Sequence, residues 1–302
     1  MSVTKTESLR VPGATLHYEV SGQGPVLLMI CGGPTDAAIY SGIADALADD
    51  YTVVRFDPRG NSRSTLEGAP EEQRVEVYSD DAHRLLAALG QEPAHVFASS
   101  GGALVGLDLV ARHPEQVRTL VAHEPPVMEL LEDRARWRDH FQDVHDTYRA
   151  AGVGPAMQKF IAGAEAGDGG PQGAPEAGPG PQGAPEAGPG PQGAPGPDMG
   201  GMSPEMMEMM GRMAANAEFF VGHVMLPFSR YVPDGEALKG APTRIVCAAG
   251  EASRDTAIHR ASLALAQSAG AEVVDFPGDH QGFLTHSAPF AETLRKVLAE
   301  SR

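Results

Sequence analysis

The sequence predicts an α/β fold, a doubly wound and mostly parallel sheet interrupted by one inserted helical segment. Short apolar runs alternate with segments of helical period over residues 1–126 and again over residues 233–302, as the βαβ units of a parallel sheet do. Between them, over residues 127–232, the apolar spacing indicates helices and no strand. We therefore expect residues 1–126 and 233–302 to form one core domain, with residues 127–232 as a helical cap.

Two short alternating runs at the start, residues 9–11 and 15–20, flank the turn pair Pro12-Gly13 and predict an antiparallel hairpin. The later apolar runs alternate with segments of helical period, as the strands of βαβ units in one parallel sheet do. These predicted strands are residues 26–31, 52–56, 95–98, 118–122, 244–248 and 272–276.

Helical periodicity fills the gaps between the strands. A helix over residues 78–89 is expected to stop at Gly90 in a left-handed cap, and one over residues 101–112 is ended by Pro114. Further helices are predicted at residues 130–150, 203–226, 256–269 and 289–299.

The predicted helix at residues 203–226 is rich in methionine. Ser203 and Pro204 make a well-matched start, as N-cap and first helical residue. Apolar residues then recur at three- and four-residue spacing, at Met206, Met210, Met213, Ala217, Phe220 and Val224. This stripe is either a packing face or a pliable apolar lining for a pocket.

A decapeptide repeat lies within the insertion. The sequence PQGAPEAGPG occupies residues 171–180 and again 181–190, followed by a partial third copy. Its glycine, proline, alanine and glutamine side chains cannot bury enough apolar surface to offset chain entropy. Residues 165–200 are therefore predicted to be a disordered linker, and a role as a PxxP ligand is the alternative.

Charge and cysteine content limit the partners. The chain carries 40 acidic and 23 basic residues, a formal charge of −17, which repels both a phosphate backbone and an anionic membrane. We expect no nucleic-acid or membrane partner, and the N-terminus lacks the apolar region of a signal peptide. Cys31 and Cys247 both lie in predicted buried strands, which favours neither a disulfide nor zinc and suits a cytoplasmic location. The oligomeric state is left open.

Ser100 lies in a strand, small-residue turn and helix start over residues 95–103. Ala98 and Gly102 are small, as a strained turn requires, since larger side chains would collide with neighbouring backbone. The segment resembles the nucleophile elbow of the α/β-hydrolase superfamily, with Ala98 at the first glycine of G-x-S-x-G. This resemblance, which extends over nearly the whole chain except the repeat, implies that Ser100 is a catalytic nucleophile. A serine here disfavours the branches that use aspartate.

Two further segments are similar to that superfamily. Cys31-Gly32-Gly33-Pro34 is similar to its H-G-G-P oxyanion loop, which implies that the N–H groups of Gly33 and Gly101 stabilise an oxyanion. Residues 57–64 are similar to its D-x-R-G-x-G-x-S segment, with Ser62 where glycine is usual, and are expected to be structural. Cys31 is a weaker candidate nucleophile, because no base adjoins it.

A serine nucleophile needs a base and an acid that orients the base. The superfamily places its histidine between the last strand and the last helix, which here implies His280, whereas His113, His123 and His286 lack that placement.

The family position for the acid is occupied by Ser253. Asp255 lies two residues later, directly before a predicted helix, and is also a candidate N-cap. Glu124 follows the strand beside the nucleophile strand, where some branches of the superfamily place their acid. We favour Glu124, with Asp255 as the alternative. Either choice preserves the order serine, acid, histidine.

These features predict a serine hydrolase that cleaves an ester, lactone, thioester or similar carbonyl bond of a small, largely apolar molecule. Neither a metal nor a cofactor is expected. Two alternatives stay open. One is a non-hydrolytic enzyme of the same fold, such as a lyase, a cyclase or a cofactor-free oxygenase, and the other is a ligand-binding member with low turnover.

Overall fold

The structure is a computed structural model, and it describes residues 4–90, 93–165, 204–254 and 256–300. Nine strands in these residues form one sheet in the order β1-β2-β4-β3-β6-β7-β8-β9, with the short β5 paired to β2. They are β1 (Lys5–Val11), β2 (Ala14–Gly22), β3 (Val26–Ile30), β4 (Thr52–Phe56), β5 (Thr65–Leu66), β6 (Ala94–Ser99), β7 (Val117–His123), β8 (Arg244–Gly250) and β9 (Glu272–Phe276).

In the described sheet, β2 runs opposite to the other strands. The pairs β1–β2, β2–β4 and β2–β5 are antiparallel, and every pair from β4 to β9 is parallel. Every residue of β3 and β6 is buried, because helices cover both faces of the sheet there. The predicted doubly wound, mostly parallel fold is thereby confirmed.

Helices pack on both faces of the sheet. In chain order they are α1 (Ser41–Leu47), α2 (Val75–Leu89), α3 (Gly101–Arg112), α4 (Arg134–Ala151), α5 (Val153–Glu165), α6 (Pro204–Phe219), α7 (Met225–Ser229), α8 (Gly235–Gly240), α9 (Ala257–Ala269), α10 (Gly282–Thr285) and α11 (Ser287–Ala299). Buried residues of α1 and α11 form the core on one face, and those of α2, α3 and α9 form it on the other. Gly90 ends α2 in the left-handed conformation that its sequence predicts.

Between β7 and β8 the chain leaves the sheet and forms α4 to α7, called the inserted helices below. The helix predicted at residues 130–150 begins instead at Arg134, after a 3-10 turn at Met128–Leu130. The helix predicted at residues 203–226 is broken by a π-turn at Phe220–Val224. The decapeptide repeat and Ser203 lie outside the described residues. Within those residues, no helix is long and apolar enough to cross a membrane.

The predicted apolar stripe is confirmed in its C-terminal part, where Ala217, Phe220 and Val224 are buried, and it is wrong at its start. Met209 is buried, whereas Met206 and Met210 are 40% and 39% exposed. The reason is polar: Arg212 and Asn216 make hydrogen bonds to the core, and those bonds turn their own face of the helix inward. Apolar periodicity alone mispredicts which side chains are buried at the start of α6, because it takes no account of such hydrogen bonds.

Candidate active site

Ser100 occupies the turn between β6 and α3. Its backbone has φ 56° and ψ −130°, a conformation that costs a residue with a side chain about 1–3 kcal/mol. The turn is held by Ser100 N–H, which donates to His123 O at 2.9 Å, and by Ala103 N–H, which donates to Ser100 O at 2.9 Å. In the described part of the chain, the non-glycine residues with positive φ are Ser62, Ser100 and Glu124. Two of them directly follow neighbouring strands, so the strain is concentrated at one edge of the sheet.

Small residues around Ser100 are required by close backbone contacts. A Cβ on Gly102 would lie 2.3 Å from Ile30 O. A Cβ on Gly32 would lie 2.5 Å from Gly101 N and 2.7 Å from Gly102 N. The loop after β3 therefore lies directly against the turn that carries Ser100.

We call residues 31–36 the glycine loop. Gly33 has φ 64°, in the left-handed region that favours glycine. Among the described residues, nothing accepts a hydrogen bond from Gly33 N–H or Gly101 N–H. Both glycines line a small cavity of about 10 Å³, walled by Val105, Val224 and Phe228 among others. Two backbone donors beside Ser100 thus remain available to a ligand oxygen.

Glu124 and His280 meet at the same edge of the sheet. Glu124 directly follows β7, and its fully buried carboxylate accepts a hydrogen bond from His280 Nδ1 at 2.8 Å through Oε2. His280 lies in the loop after β9, and its side chain is 38% exposed. The other carboxylate oxygen of Glu124 accepts a hydrogen bond from Gly250 N–H at 2.9 Å. The pair therefore has a buried, oriented anion on one side and a reachable imidazole on the other.

The charge of Glu124 is stabilised in place. Burial alone would raise the pKa of its carboxyl, but hydrogen bonds from His280 and Ser253 and the nearby imidazoles outweigh burial and lower the pKa to about 2. Ser253, which stands at the family position for the acid, is buried near this carboxylate and helps to lower its pKa. Sequence reasoning missed that contact.

His123, which precedes Glu124, is fully buried, and its Nδ1 lies 2.9 Å from Ser99 Oγ. Burial lowers the pKa of His123 to about 3, so the imidazole is neutral at physiological pH. Cys31 is also buried, and burial raises the pKa of its thiol to about 12. A thiol of that pKa carries almost no thiolate at neutral pH, which argues against Cys31 as a nucleophile.

Asp255, the alternative acid, lies outside the described residues. The N-cap of α9 is Thr256, whose hydroxyl accepts from His259 N–H at 3.3 Å, and so the N-cap interpretation of Asp255 is wrong. Across the described ranges, no three His, Cys, Asp or Glu side chains are grouped as a metal site would require.

Ser100 Oγ has no hydrogen-bond partner in the described part of the chain, and the Nε2 atom of His280 has none there either. Ser100 and Glu124 nevertheless follow neighbouring strands, since Ser99 is paired with His123 across β6 and β7, and His280 joins this edge through its hydrogen bond to Glu124. The arrangement supplies a strained serine, an oriented imidazole and two unpaired backbone donors at one edge.

Comparison with known proteins agrees with this fold. The α/β hydrolase fold profile matches residues 25–162. The uncharacterized hydrolase YraK of Bacillus subtilis (strain 168) is 34% identical over 301 residues, which cover 98% of this chain and 96% of that protein.

Solved structures share the fold at much lower identity. A thermophilic esterase from Thermogutta terrifontis has a TM-score of 0.69 at 17% identity, over 100% of this chain and 99% of that chain. The enol-lactonase from Burkholderia xenovorans LB400 has a TM-score of 0.63 at 17% identity, over 97% of this chain and 100% of that chain. Because YraK matches nearly end to end, and the family profile and the fold agree with it, the chain belongs to the α/β hydrolase family.

Proposed function

We propose that this chain is a serine hydrolase that cleaves an ester, lactone or thioester bond of a small, largely apolar molecule through an acyl-enzyme on Ser100. The observation that carries the proposal is the 2.8 Å hydrogen bond between buried Glu124 and His280, at the sheet edge where the strained Ser100 turn lies. A serine hydroxyl is a poor nucleophile until a base takes its proton, and a histidine is a good base when an anion orients it.

In this proposal Ser100 Oγ attacks the substrate carbonyl, and its proton passes to Nε2 of His280. Glu124 holds Nδ1–H of His280 and stabilises the imidazolium that forms. The N–H groups of Gly33 and Gly101 bind the oxyanion of the tetrahedral intermediate. His280 then protonates the leaving group. In the second half of the reaction, His280 takes a proton from a water molecule that attacks the acyl-enzyme, and it then returns a proton to Ser100 as the acid product leaves. Ser100 Oγ and His280 Nε2 are not hydrogen-bonded to each other in the described structure. Such bonds between base and nucleophile often form only when substrate is bound.

The surroundings of the two backbone donors support the proposed substrate class. The cavity at Gly33 and Gly101 is walled largely by apolar side chains, which favours an apolar group beside the reacting carbonyl. We assign the inserted helices to a cap, residues 127–232, because Val224 and Phe228 line this cavity. The buried free thiols and the net negative charge agree with a cytoplasmic enzyme without nucleic-acid or membrane partners.

Hydrolysis of para-nitrophenyl acetate tests the proposal. We expect turnover by the wild type, and loss of about 10⁴-fold or more in Ser100→Ala. The neighbouring Ser99→Ala should keep most of the activity, since Ser99 Oγ bonds to His123 and not to the reacting groups. Equal activity in Ser100→Ala and wild type would overturn the proposal.

A second measurement separates hydrolysis from the other chemistries this fold supports. An acyl-enzyme that is released by water places one labelled oxygen in the acid product when the reaction runs in ¹⁸O water. An elimination or a cyclisation places none. Unlabelled product from a turning-over enzyme would favour the lyase or cyclase alternative.

A further inference from the structure

Side chains hold every carbonyl of residues 32–35 in the glycine loop. Thr35 Oγ1 donates to Gly32 O at 2.7 Å. The amide of Asn61 donates to Gly33 O at 3.2 Å and to Thr35 O at 2.9 Å. The fourth carbonyl, Pro34 O, accepts at 3.1 Å from Asn216, which lies on the inserted helix α6. Since Gly32 C=O and Gly33 N–H belong to one peptide plane, the Thr35 bond fixes the direction of Gly33 N–H, and the Asn61 and Asn216 bonds hold the rest of the loop that carries this plane.

Helix α6 makes a second contact with this loop. Arg212 Nε donates to Asp36 Oδ2 at 2.5 Å, and the Asp36 side chain is fully buried. Burial alone would raise the pKa of Asp36, but the bonds from Arg212, Ser62 and Ala38 N–H outweigh it, so the pKa is lowered. A buried carboxylate that lost Arg212 would keep its charge without its main partner, which is costly. Docking of α6 therefore stabilises the loop in this position.

Ser62 joins the two contacts. Its hydroxyl donates to Asp36 Oδ2 at 2.9 Å and accepts from Asn216 Nδ2 at 2.9 Å, and its N–H donates to Asn216 Oδ1 at 2.7 Å. Ser62 has φ 50°, a conformation that glycine adopts without strain and serine does not. Serine thus stands at a position suited to glycine, and three hydrogen bonds to the loop and α6 offset the strain.

We propose that Asn216 and Arg212 are positioning residues that couple docking of α6 to the direction of Gly33 N–H, with Ser62 as the link between them. The inference rests on the proposed function, in which Gly33 N–H stabilises the oxyanion. It assigns part of the hydrolytic site to the inserted helices, more than 100 residues from the glycine loop in sequence. Docked α6 gives a competent site, and displaced α6 gives a site with a misaligned donor.

The test compares Asn216→Ala with Arg260→Ala, using para-nitrophenyl acetate and an aryl trifluoromethyl ketone, which forms an oxyanion adduct on serine. Arg260 on α9 pairs with Asp133 beside α4 at 3.3 Å, so its loss also cuts a contact between inserted helices and core, but one remote from the glycine loop. Asn216→Ala should lower kcat about tenfold and lower the affinity for the ketone about tenfold. KM should stay within about twofold, because a misaligned donor affects the oxyanion and not the bound ester. Arg260→Ala should change neither.

Ser62→Gly is a second variant that tests the same coupling if Asn216→Ala folds poorly. Glycine relieves the backbone strain, so the unfolding temperature should hold or rise, while loss of the hydroxyl bonds should lower kcat by about threefold. Arg212→Lys should retain more activity than Arg212→Ala because it keeps the charge beside Asp36.

A wild type that does not hydrolyse the ester would contradict the proposed function itself. An active wild type would overturn this inference alone if kcat and ketone affinity were unchanged in both Asn216→Ala and Ser62→Gly, or if Arg260→Ala lost as much of both.

Discussion

The two halves of the site are held in different ways. Ser100 and Glu124 directly follow neighbouring parallel strands, and backbone hydrogen bonds to His123 O and Ala248 O hold them there. The glycine loop is held by side chains, from Thr35 and Asn61 in the core and from Asn216 in the inserted helices. The sheet therefore fixes the proposed nucleophile and the proposed acid, whereas the position of the proposed oxyanion donor Gly33 depends on parts of the chain that are remote from it in sequence.

The largest effect should come from the half that the sheet holds. Glu124→Gln keeps the shape but removes the anion that orients His280, and we expect kcat to fall about 10³- to 10⁴-fold. Glu129→Gln is a matched control, since Glu129 is another buried glutamate after β7, but its partner is Arg138. Kinetics on para-nitrophenyl acetate measures both. Full activity in Glu124→Gln would show that Glu124 is not the catalytic acid and would favour Asp255.

Gly32→Ala should disturb the part of the site that the glycine loop forms. The new Cβ would lie 2.5 Å from Gly101 N, so the loop and the turn must move apart and both donors shift. We expect a loss of about 10²- to 10³-fold in kcat, the size seen when one oxyanion donor is removed. The Glu124–His280 hydrogen bond should persist, visible as a low-field imidazole proton in NMR spectra.

Gly211→Ala serves as the control for that substitution. Gly211 lies in α6 with open space around its Cβ position, so activity should be unchanged. If Gly32→Ala retained full activity as well, the glycine loop would not take part in catalysis.

Ser253 allows a sharper test of the acid half. Ser253 lies close enough to the Glu124 carboxylate to lower its pKa, so we expect an aspartate at that position to reach His280. In the Glu124→Gln background, Ser253→Asp should raise kcat about tenfold, because it returns a negative charge close to Nδ1 of His280. Ser253→Asn in the same background lacks the charge and should restore nothing. Equal rates for the two double variants would mean that charge at this point is unimportant.

The smallest effect concerns stability against pH. The pKa of Glu124 is lowered from an ordinary value near 4.3 to about 2, so its ionised form stabilises the folded state above the ordinary value. That stabilisation, up to about 3 kcal/mol, is lost as the pH falls from about 4.3 through about 2. Urea unfolding at pH 7, 5, 4 and 3 should show a shallower decline for Glu124→Gln than for the wild type. Parallel declines would contradict the assigned pKa.

The sheet-held half could be predicted from sequence because its signals are local. Apolar runs mark the strands, and the carboxyl ends of parallel strands lie at one edge, which places Ser100, Glu124 and His280 together. Helix α3 begins at Gly101 and ends at Arg112 as its flanking residues indicate. Short-range patterns suffice wherever the backbone alone sets the geometry.

The glycine-loop half could not be predicted in the same way. Ser62 and Asn216 are 154 residues apart, and no pattern in either segment indicates that they bond. Likewise Ser253 reaches Glu124 only because the turn after β8 folds back on it. The exposure of Met206 and Met210 at the start of α6 was mispredicted for the same reason, since the polar contacts of Arg212 and Asn216 are not visible in the apolar spacing.

Covalent labelling with a fluorophosphonate tests the central claim most directly. The probe phosphonylates an activated serine, with fluoride as the leaving group, and peptide mapping identifies the modified residue. We predict one adduct per chain, on the peptide that contains Ser100, with none in Ser100→Ala and a much slower reaction in Glu124→Gln. A native protein that gains no mass, or an adduct that maps away from Ser100, would contradict the account.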